Sequence, residues 1–182
     1  MDGEARSGYN SPMLTFYFPD DRFPEGELTH VRHIARGIVL DEEGKIFLHK
    51  LHRNDLFGDQ TYYETPGGGI DEGEDAITAF IRECDEEIGC KVEVIAPICH
   101  IRDFYRLIGR QNEQDYFLAR KVGEGKIHHE SAGDDVIETT LHVDIDTAIA
   151  LMEGQSEESA SGLVKQRELP VLYLAKKMMA KL

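Results

Sequence analysis

The pattern of apolar and polar positions divides the chain into alternating strands and helices. After a polar, small-residue stretch from Met1 to Pro12, expected to be a flexible tail, a short strand is predicted at Leu14 to Phe18. Arg32 to Leu40 and Lys45 to Leu51, joined by Asp41-Glu42-Glu43-Gly44, read as a β-hairpin with a longer loop. Thr61 to Thr65 reads as a strand entering a glycine-rich turn, and further strands are expected near Val92 to Arg102, Gln114 to Lys121 and Val136 to Val143. A helix capped around Asp144 to Asp146 should end near Gly154. Gln155 to Gly162 then reads as a mobile loop. A closing helix is expected over about Leu169 to Leu182, with Lys176, Lys177 and Lys181 near its C-terminal end. The predicted fold class is α/β of the α+β kind, a mixed β-sheet packed between helices, with residues 13–182 forming a single domain.

The segment from Gly67 to Cys90 carries most of the chemistry. At about 100° per residue, Glu83, Glu86 and Glu87 share one sector of a helix roughly 100° wide, while Ile77, Phe80, Ile81, Cys84 and Ile88 form a separate apolar stripe. Glu83 and Glu87 are four residues apart, where like charges repel even in solvent. In a partly buried cleft two charges about 4 Å apart interact by ~4 kcal/mol, against ~1 in water. Between Asp71 and Cys90 stand Asp71, Glu72, Glu74, Asp75, Glu83, Asp85, Glu86 and Glu87, with Arg82 the only basic residue. One guanidinium cannot balance that cluster, so a divalent cation is inferred. Pro66-Gly67-Gly68-Gly69 precedes the helix, and glycines let backbone groups approach a ligand or metal closely. Gly89 is the expected helix stop.

An acidic helix is ordinarily no more than a solvated face. The glycine run, the single Arg82 and the clustering of the acids without interspersed lysines set this one apart. An EF-hand loop needs a different spacing of its glycine and terminal glutamate.

The spacing of Gly68, Glu74 and Arg82-Glu83-Cys84-Asp85-Glu86-Glu87-Ile88-Gly89 resembles the complete Nudix box of the Nudix hydrolases. Cys84 and Cys90 stand where that family usually has Ile, Leu or Val, a mild departure because cysteine behaves as a small hydrophobe. The flanking layout extends the resemblance from about Thr29 to Met152. It implies the Nudix fold and a pyrophosphohydrolase that cleaves the diphosphate linkage of a nucleoside diphosphate joined to another group. It also implies Mg²⁺ or Mn²⁺ held by Glu83, Glu86 and Glu87, with the backbone carbonyl of Gly67 a further ligand. Arg82 and Glu74 are implied to orient the carboxylates. The base that takes a proton from water matches Glu83 in some relatives and a later acid in others; here Glu130, Asp134, Asp135 and Glu138 are the later candidates, with Asp135 and Glu138 preferred among them. Arg36 sits where many relatives place an arginine ahead of the first core strand, which leaves open both a phosphate contact and a surface arginine that makes none.

Composition narrows the partners. A formal charge of −15 argues against bulk nucleic acid, whose binding rests on Lys and Arg, but permits a small nucleotide-type substrate. No apolar run reaches a membrane span, and Met1 to Asn10 lacks a secretory pattern, so a cytoplasmic location is expected. Cys84, Cys90 and Cys99 read as reduced core residues. The pairs His30/His33 and His128/His129 lack a third zinc ligand. Tyr62, Tyr63, Phe57, Phe104, Tyr105 and Tyr116 are available to stack on a base, although strand aromatics more often belong to a core. A homodimer is compatible with the sequence. Two other classes stay open: a binding or sensor module that keeps the fold without turnover, and an isoprenoid-diphosphate isomerase with Cys99 as its one outside cysteine.

Overall fold

Residues 13–128 and 134–182 are described by the computed structural model, and the tail expected at 1–12 lies outside the described residues. The elements run β1 (Thr15–Phe18), β2 (His30–Leu40), β3 (Ile46–Asp55), β4 (Gly58–Glu64), β5 (Gly67–Gly69), α1 (Ala76–Ile88), β6 (Cys90–Tyr105), β7 (Arg110–Glu124), β8 (Ile137–Val143), α2 (Ile145–Glu153) and α3 (Ser159–Met179). The strands form a mixed sheet in the order β1-β6-β7-β2-β3-β4, with β5 on β2 and β8 on β3. β1 runs parallel to β6 and β2 parallel to β7, while the other pairings are antiparallel.

Side-chain alternation divides the sheet between two cores. On one face Ala35, Val39, Phe117 and Ala119 pack against Ala79, Phe80, Cys84 and Ile88 of α1. On the other, Ile38, Leu48, Ile101, Tyr116 and Leu118 meet Ile149 and Met152 of α2 and Val171, Leu172 and Ala175 of α3. The sheet is therefore sandwiched between helices, as the patterning predicts. A fully buried residue of this size, such as Phe80, contributes roughly 2 kcal/mol relative to exposure.

Three local expectations need correction. β2 and β3 form a hairpin only at its base, where Leu40 faces Ile46. Beyond that point they part: β2, which lies on β7 along its whole length, takes β5 at Ile34–Arg36, while β3, on β8 from Ile46, takes β4 from His49 onward, so a cleft opens between them. The continuous hairpin is β3–β4, whose turn is held by Phe57 N–H donating to Asp55 Oδ1 at 2.9 Å.

The second correction concerns the C-terminal helix, which begins at Ser159 and not near Leu169, with Pro170 inside it. The polar segment expected as a loop is ordered by buried bonds: Gln155 Nε2 donates to the Ser161 carbonyl at 2.8 Å, and Ser161 N–H donates to Gln60 Oε1 at 2.9 Å. Third, the apolar stripe of α1 is not fully inward, since Ile81 is exposed whereas Glu83 and Glu87 are buried.

Candidate active site

The local geometry starts with the caps of α1. Asp75 accepts the Thr78 N–H at 3.0 Å at the N-terminus, and Gly89 adopts left-handed backbone at the C-terminus and donates to the Asp85 carbonyl at 3.1 Å. An N-cap of this kind contributes ~1 kcal/mol. Fixing both ends fixes the rotation of the helix, which lays Glu83 and Glu87 against the glycine turn.

That turn is β5. Gly67 has φ +138°, and a Cβ there would lie 2.3 Å from the Ala35 carbonyl oxygen. Gly68 serves a different need, because a Cβ on it would come within 2.4 Å of Glu83 Oε1. The helix carboxylate thus rests directly on glycine backbone.

Arg82 collects the carboxylates. Its Nε and Nη2 donate to both oxygens of Glu74 at 3.0 and 2.9 Å, and Nη1 donates to Glu83 Oε1 at 2.9 Å and Glu86 Oε2 at 3.3 Å. Nη2 also donates to the Gly69 carbonyl at 3.0 Å, tying the helix to the turn. Glu87 is held from elsewhere: its Oε2 accepts the Gly67 N–H at 2.8 Å and faces His49 Nε2 at 3.1 Å. His49 was not anticipated from the sequence. The available signal was an apolar strand, Ile46-Phe47-Leu48, followed by a histidine in a buried register, which reads equally well as core.

The electrostatics are unbalanced on this side. Burial, followed by repulsion from Glu87, pushes the Glu83 carboxyl up to about 7 despite Arg82. The bond to Glu74 holds the Arg82 guanidinium above its ordinary value, against burial and with further help from Glu83.

The three carboxylates and the glycine turn line a cleft of about 400 Å³. Arg32, Arg36, Arg53 and Glu64 line it as well. Arg36 is already engaged, donating to the Thr65 carbonyl at 2.9 Å and pairing with Glu64 at 3.1 Å. Glu64 also contacts Arg167 of α3, and although burial opposes it, Arg36 and Arg167 keep its carboxyl below the usual range.

The later acids are placed elsewhere. Glu138 is exposed and pairs with Lys50 at 2.6 Å, Asp135 is exposed, and neither lines the cleft. Glu130 and the Asp134 side chain lie outside the described residues, as does His129. Tyr62, Phe104, Tyr105 and Tyr116 are core residues, and no aromatic ring of Phe or Tyr is among the described residues that line the cleft. Cys84, Cys90 and Cys99 are free and buried.

Whether the residues suit a hard cation can be tested on the donors. Among the described residues, no three His, Cys or acidic side chains stand in a ready-made metal cluster. The carboxylates instead turn one oxygen each toward Arg82 or His49, which leaves Glu83 Oε2 and Glu87 Oε1 without a hydrogen bond among the described residues. Unbonded carboxylate oxygens, charge crowding and a glycine turn form the oxygen-only donor set that Mg²⁺ or Mn²⁺ takes. The chain fits such an ion.

Comparison with known proteins agrees with this geometry. The chain is 27% identical over 153 residues to an ADP-ribose pyrophosphatase of Bacillus subtilis (strain 168), covering 81% of this chain and 80% of that one. It is 32% identical over 98 residues to an RNA pyrophosphohydrolase of Pelagibacter ubique (strain HTCC1062), covering 48% and 60%. A NUDIX hydrolase from Nitrosomonas europaea shares the fold with a TM-score of 0.60 at 17% identity, over 81% of this chain and 91% of that one. The NUDIX domain model matches residues 31–160, and the chain belongs to the Nudix family.

Proposed function

We propose that this protein is a divalent-metal-dependent hydrolase that cleaves the diphosphate linkage of a nucleoside diphosphate joined to another group, with water attacking phosphorus. One observation carries the reading: Glu83 lies buried on glycine backbone beside the equally buried Glu87. Such crowding is costly for structure alone. It suits a site that receives positive charge.

In this reading Glu83, Glu86, Glu87 and the Gly67 carbonyl hold Mg²⁺ or Mn²⁺. When bound, the ion offsets phosphate charge and acidifies a coordinated water. The chain's own residues do the positioning. Arg82 fixes Glu83 and Glu86, Glu74 fixes Arg82 through two bonds, and Gly67 N–H fixes Glu87. Glu83 is the base that takes the proton of the attacking water, leaving two phosphate products, one from each side of the cut linkage. Asp135 and Glu138 are second choices, disfavoured by their exposure and by the Lys50 partner of Glu138. Arg36 contacts substrate phosphate only with the part of its guanidinium that Thr65 and Glu64 leave open.

The names of the relatives supply a first panel: ADP-ribose, RNA and 8-oxo-dGTP. The net charge of −15 favours nucleotide-sized substrates, and the reduced, buried cysteines favour a cytoplasmic setting. Among the described residues, no helix is long and apolar enough to cross a membrane. Isomerisation through Cys99 is disfavoured because burial pushes that thiol up to about 12. We take residues 13–182 to act as one domain.

The test is product release from this panel with Mg²⁺, with Mn²⁺ and with chelator. Glu86→Gln and Glu87→Gln should each lower turnover by orders of magnitude while the fold persists. Unchanged turnover in both variants would overturn the metal assignment.

A further inference from the structure

The acidic helix has a counterpart across the cleft, where several arginines share too few carboxylates. Among the described residues Glu64 is the one acid on that wall, and it is occupied by Arg36 at 3.1 Å and by Arg167. Arg32 and Arg53 also line the cleft. Among the described residues Arg32 makes no hydrogen bond and no ion pair, and the carboxylate paired with Arg53 is Asp55 at 3.7 Å. Arg53 Nε is buried without a partner.

The placement of Arg32 is specific. Its Nη2 lies 3.4 Å from where a Cβ on Gly69 would be, so the guanidinium sits over the same glycine turn that carries Glu83. Partial burial, then the nearby Arg110 and Arg36, pushes this guanidinium below its ordinary value. Gathering several cations around one shared carboxylate is unfavourable unless a further anion joins them, and a guanidinium fork matches phosphate oxygens. Among the described residues that line it, the cleft has no Phe or Tyr ring for a base to stack on. Recognition there falls to charge.

Resting on the hydrolase reading, we propose that Arg32 and Arg53 form a second anion subsite, and that the preferred substrate carries at least one phosphate beyond the linkage that is cut. A nucleoside triphosphate or a longer polyphosphate chain meets this requirement, with little discrimination among bases; a diphosphate capped by a neutral sugar does not.

Two measurements test the subsite. The first is calorimetric binding of inorganic tripolyphosphate and of pyrophosphate, in Mg²⁺, to the wild type and to Arg32→Gln and Arg53→Gln. A charge-assisted bond to phosphate corresponds to about 10-fold or more in affinity, so the wild type should prefer tripolyphosphate by at least that factor, and Arg32→Gln should bring the ratio close to one. The second is steady-state kinetics with ATP, GTP, CTP, UTP and ADP-ribose. The four triphosphates should have kcat/KM values within a few-fold of each other and above that of ADP-ribose. Arg32→Gln should raise KM for the triphosphates about 10-fold at nearly constant kcat and leave KM for ADP-ribose unmoved.

Equal binding of the two inorganic probes by the wild type, or equal loss of both in the variants, would overturn the subsite. Turnover of ADP-ribose alone would also overturn it while leaving the hydrolase reading intact. A tripolyphosphate preference that Arg32→Gln abolishes, in a protein that turns over neither these five substrates nor the panel above, would support the anion subsite and sink the hydrolase reading.

Discussion

His49 stands between Thr140 and Glu87, its Nδ1 2.8 Å from the threonine hydroxyl and its Nε2 3.1 Å from Glu87 Oε2. With the proton on Nε2, the ring donates to Glu87 and accepts from Thr140. β3 thereby orients a carboxylate on α1, the helix that covers the face of the sheet from which His49 projects. Such supports behind a metal ligand are commonly worth 10–100-fold in metal affinity or activity. His49→Ala should therefore weaken Mn²⁺ binding by about that factor. His49→Gln, which keeps a donor of similar reach, should recover part of it. Titration of Mn²⁺ followed by electron paramagnetic resonance measures this without substrate. Equal affinity in His49→Ala and wild type would show that the ring only fills space.

Gly67 and Gly68 are adjacent, but their replacement by alanine should have different effects. At Gly68 the new methyl meets the Glu83 carboxylate at 2.4 Å, the mobile end of a side chain, so the carboxylate moves and the fold survives with a loss under about 1 kcal/mol. Displacing a reacting group by an ångström can cost about 100-fold in rate, and Gly68→Ala should lose at least that. At Gly67 the methyl meets the Ala35 carbonyl oxygen at 2.3 Å with φ +138°, where neither neighbour nor backbone can yield. Gly67→Ala should lose about 1–3 kcal/mol. Urea melts beside turnover rates separate the two, and an inactive, unfolded Gly68→Ala would contradict the argument.

Much of this was legible because α1 is governed by local rules. Asp75, Gly89 and the spacing of the glutamates specify the helix ends and its acidic sector within one continuous segment. The same holds for α2, whose N-cap Asp144 was expected. What stayed hidden depends on contacts between distant segments. His49 meets Glu87, Glu64 meets Arg167, and Ser161 meets Gln60, pairs for which no periodicity or spacing rule exists. The same cause misplaced the start of α3. A polar, serine-rich stretch resembles a loop until its hydrogen bonds are paired with residues of β4. The partial burial of Glu83 and Glu87 was likewise not readable from helix periodicity, which gives directions but not what lies in them.

His100 supplies a pH dependence away from the cleft. Its Nδ1 faces Asp115 Oδ1 at 2.8 Å and its Nε2 faces Glu113 Oε2 at 2.7 Å, and Glu113 also binds Arg102 at 2.6 Å. The bond to Asp115, and next that to Glu113, hold the imidazole above its ordinary 6.5 against the effect of burial. A histidine whose folded pKa is raised stabilises the fold fully below the unfolded value, and that contribution disappears as pH rises through the folded value. The stability difference between wild type and His100→Asn should therefore be largest near pH 6 and shrink toward pH 9. Urea melts across that range measure it. A difference that grows with pH would refute the assignment of charge to this ring.

Arg167 tests the other side of the sheet. It is 2% exposed and contacts Glu64, Asp103 at 3.5 Å and Glu168 at 3.3 Å, while its Nε donates to Tyr116 Oη at 3.1 Å. Removing one partner from a buried charge network typically costs about 3–5 kcal/mol, because the remaining charges lose their compensation. Arg167→Met keeps most of the volume and removes the charge, so it should lose about that much stability without an equivalent cavity term. Among the described residues Glu64 would then keep Arg36 as its ion-pair partner, which should hold Arg36 more firmly to Glu64. Chemical denaturation gives the stability loss. A parallel titration with tripolyphosphate reports whether the arginine wall has changed, and a loss below 1 kcal/mol would show that water already screens this network.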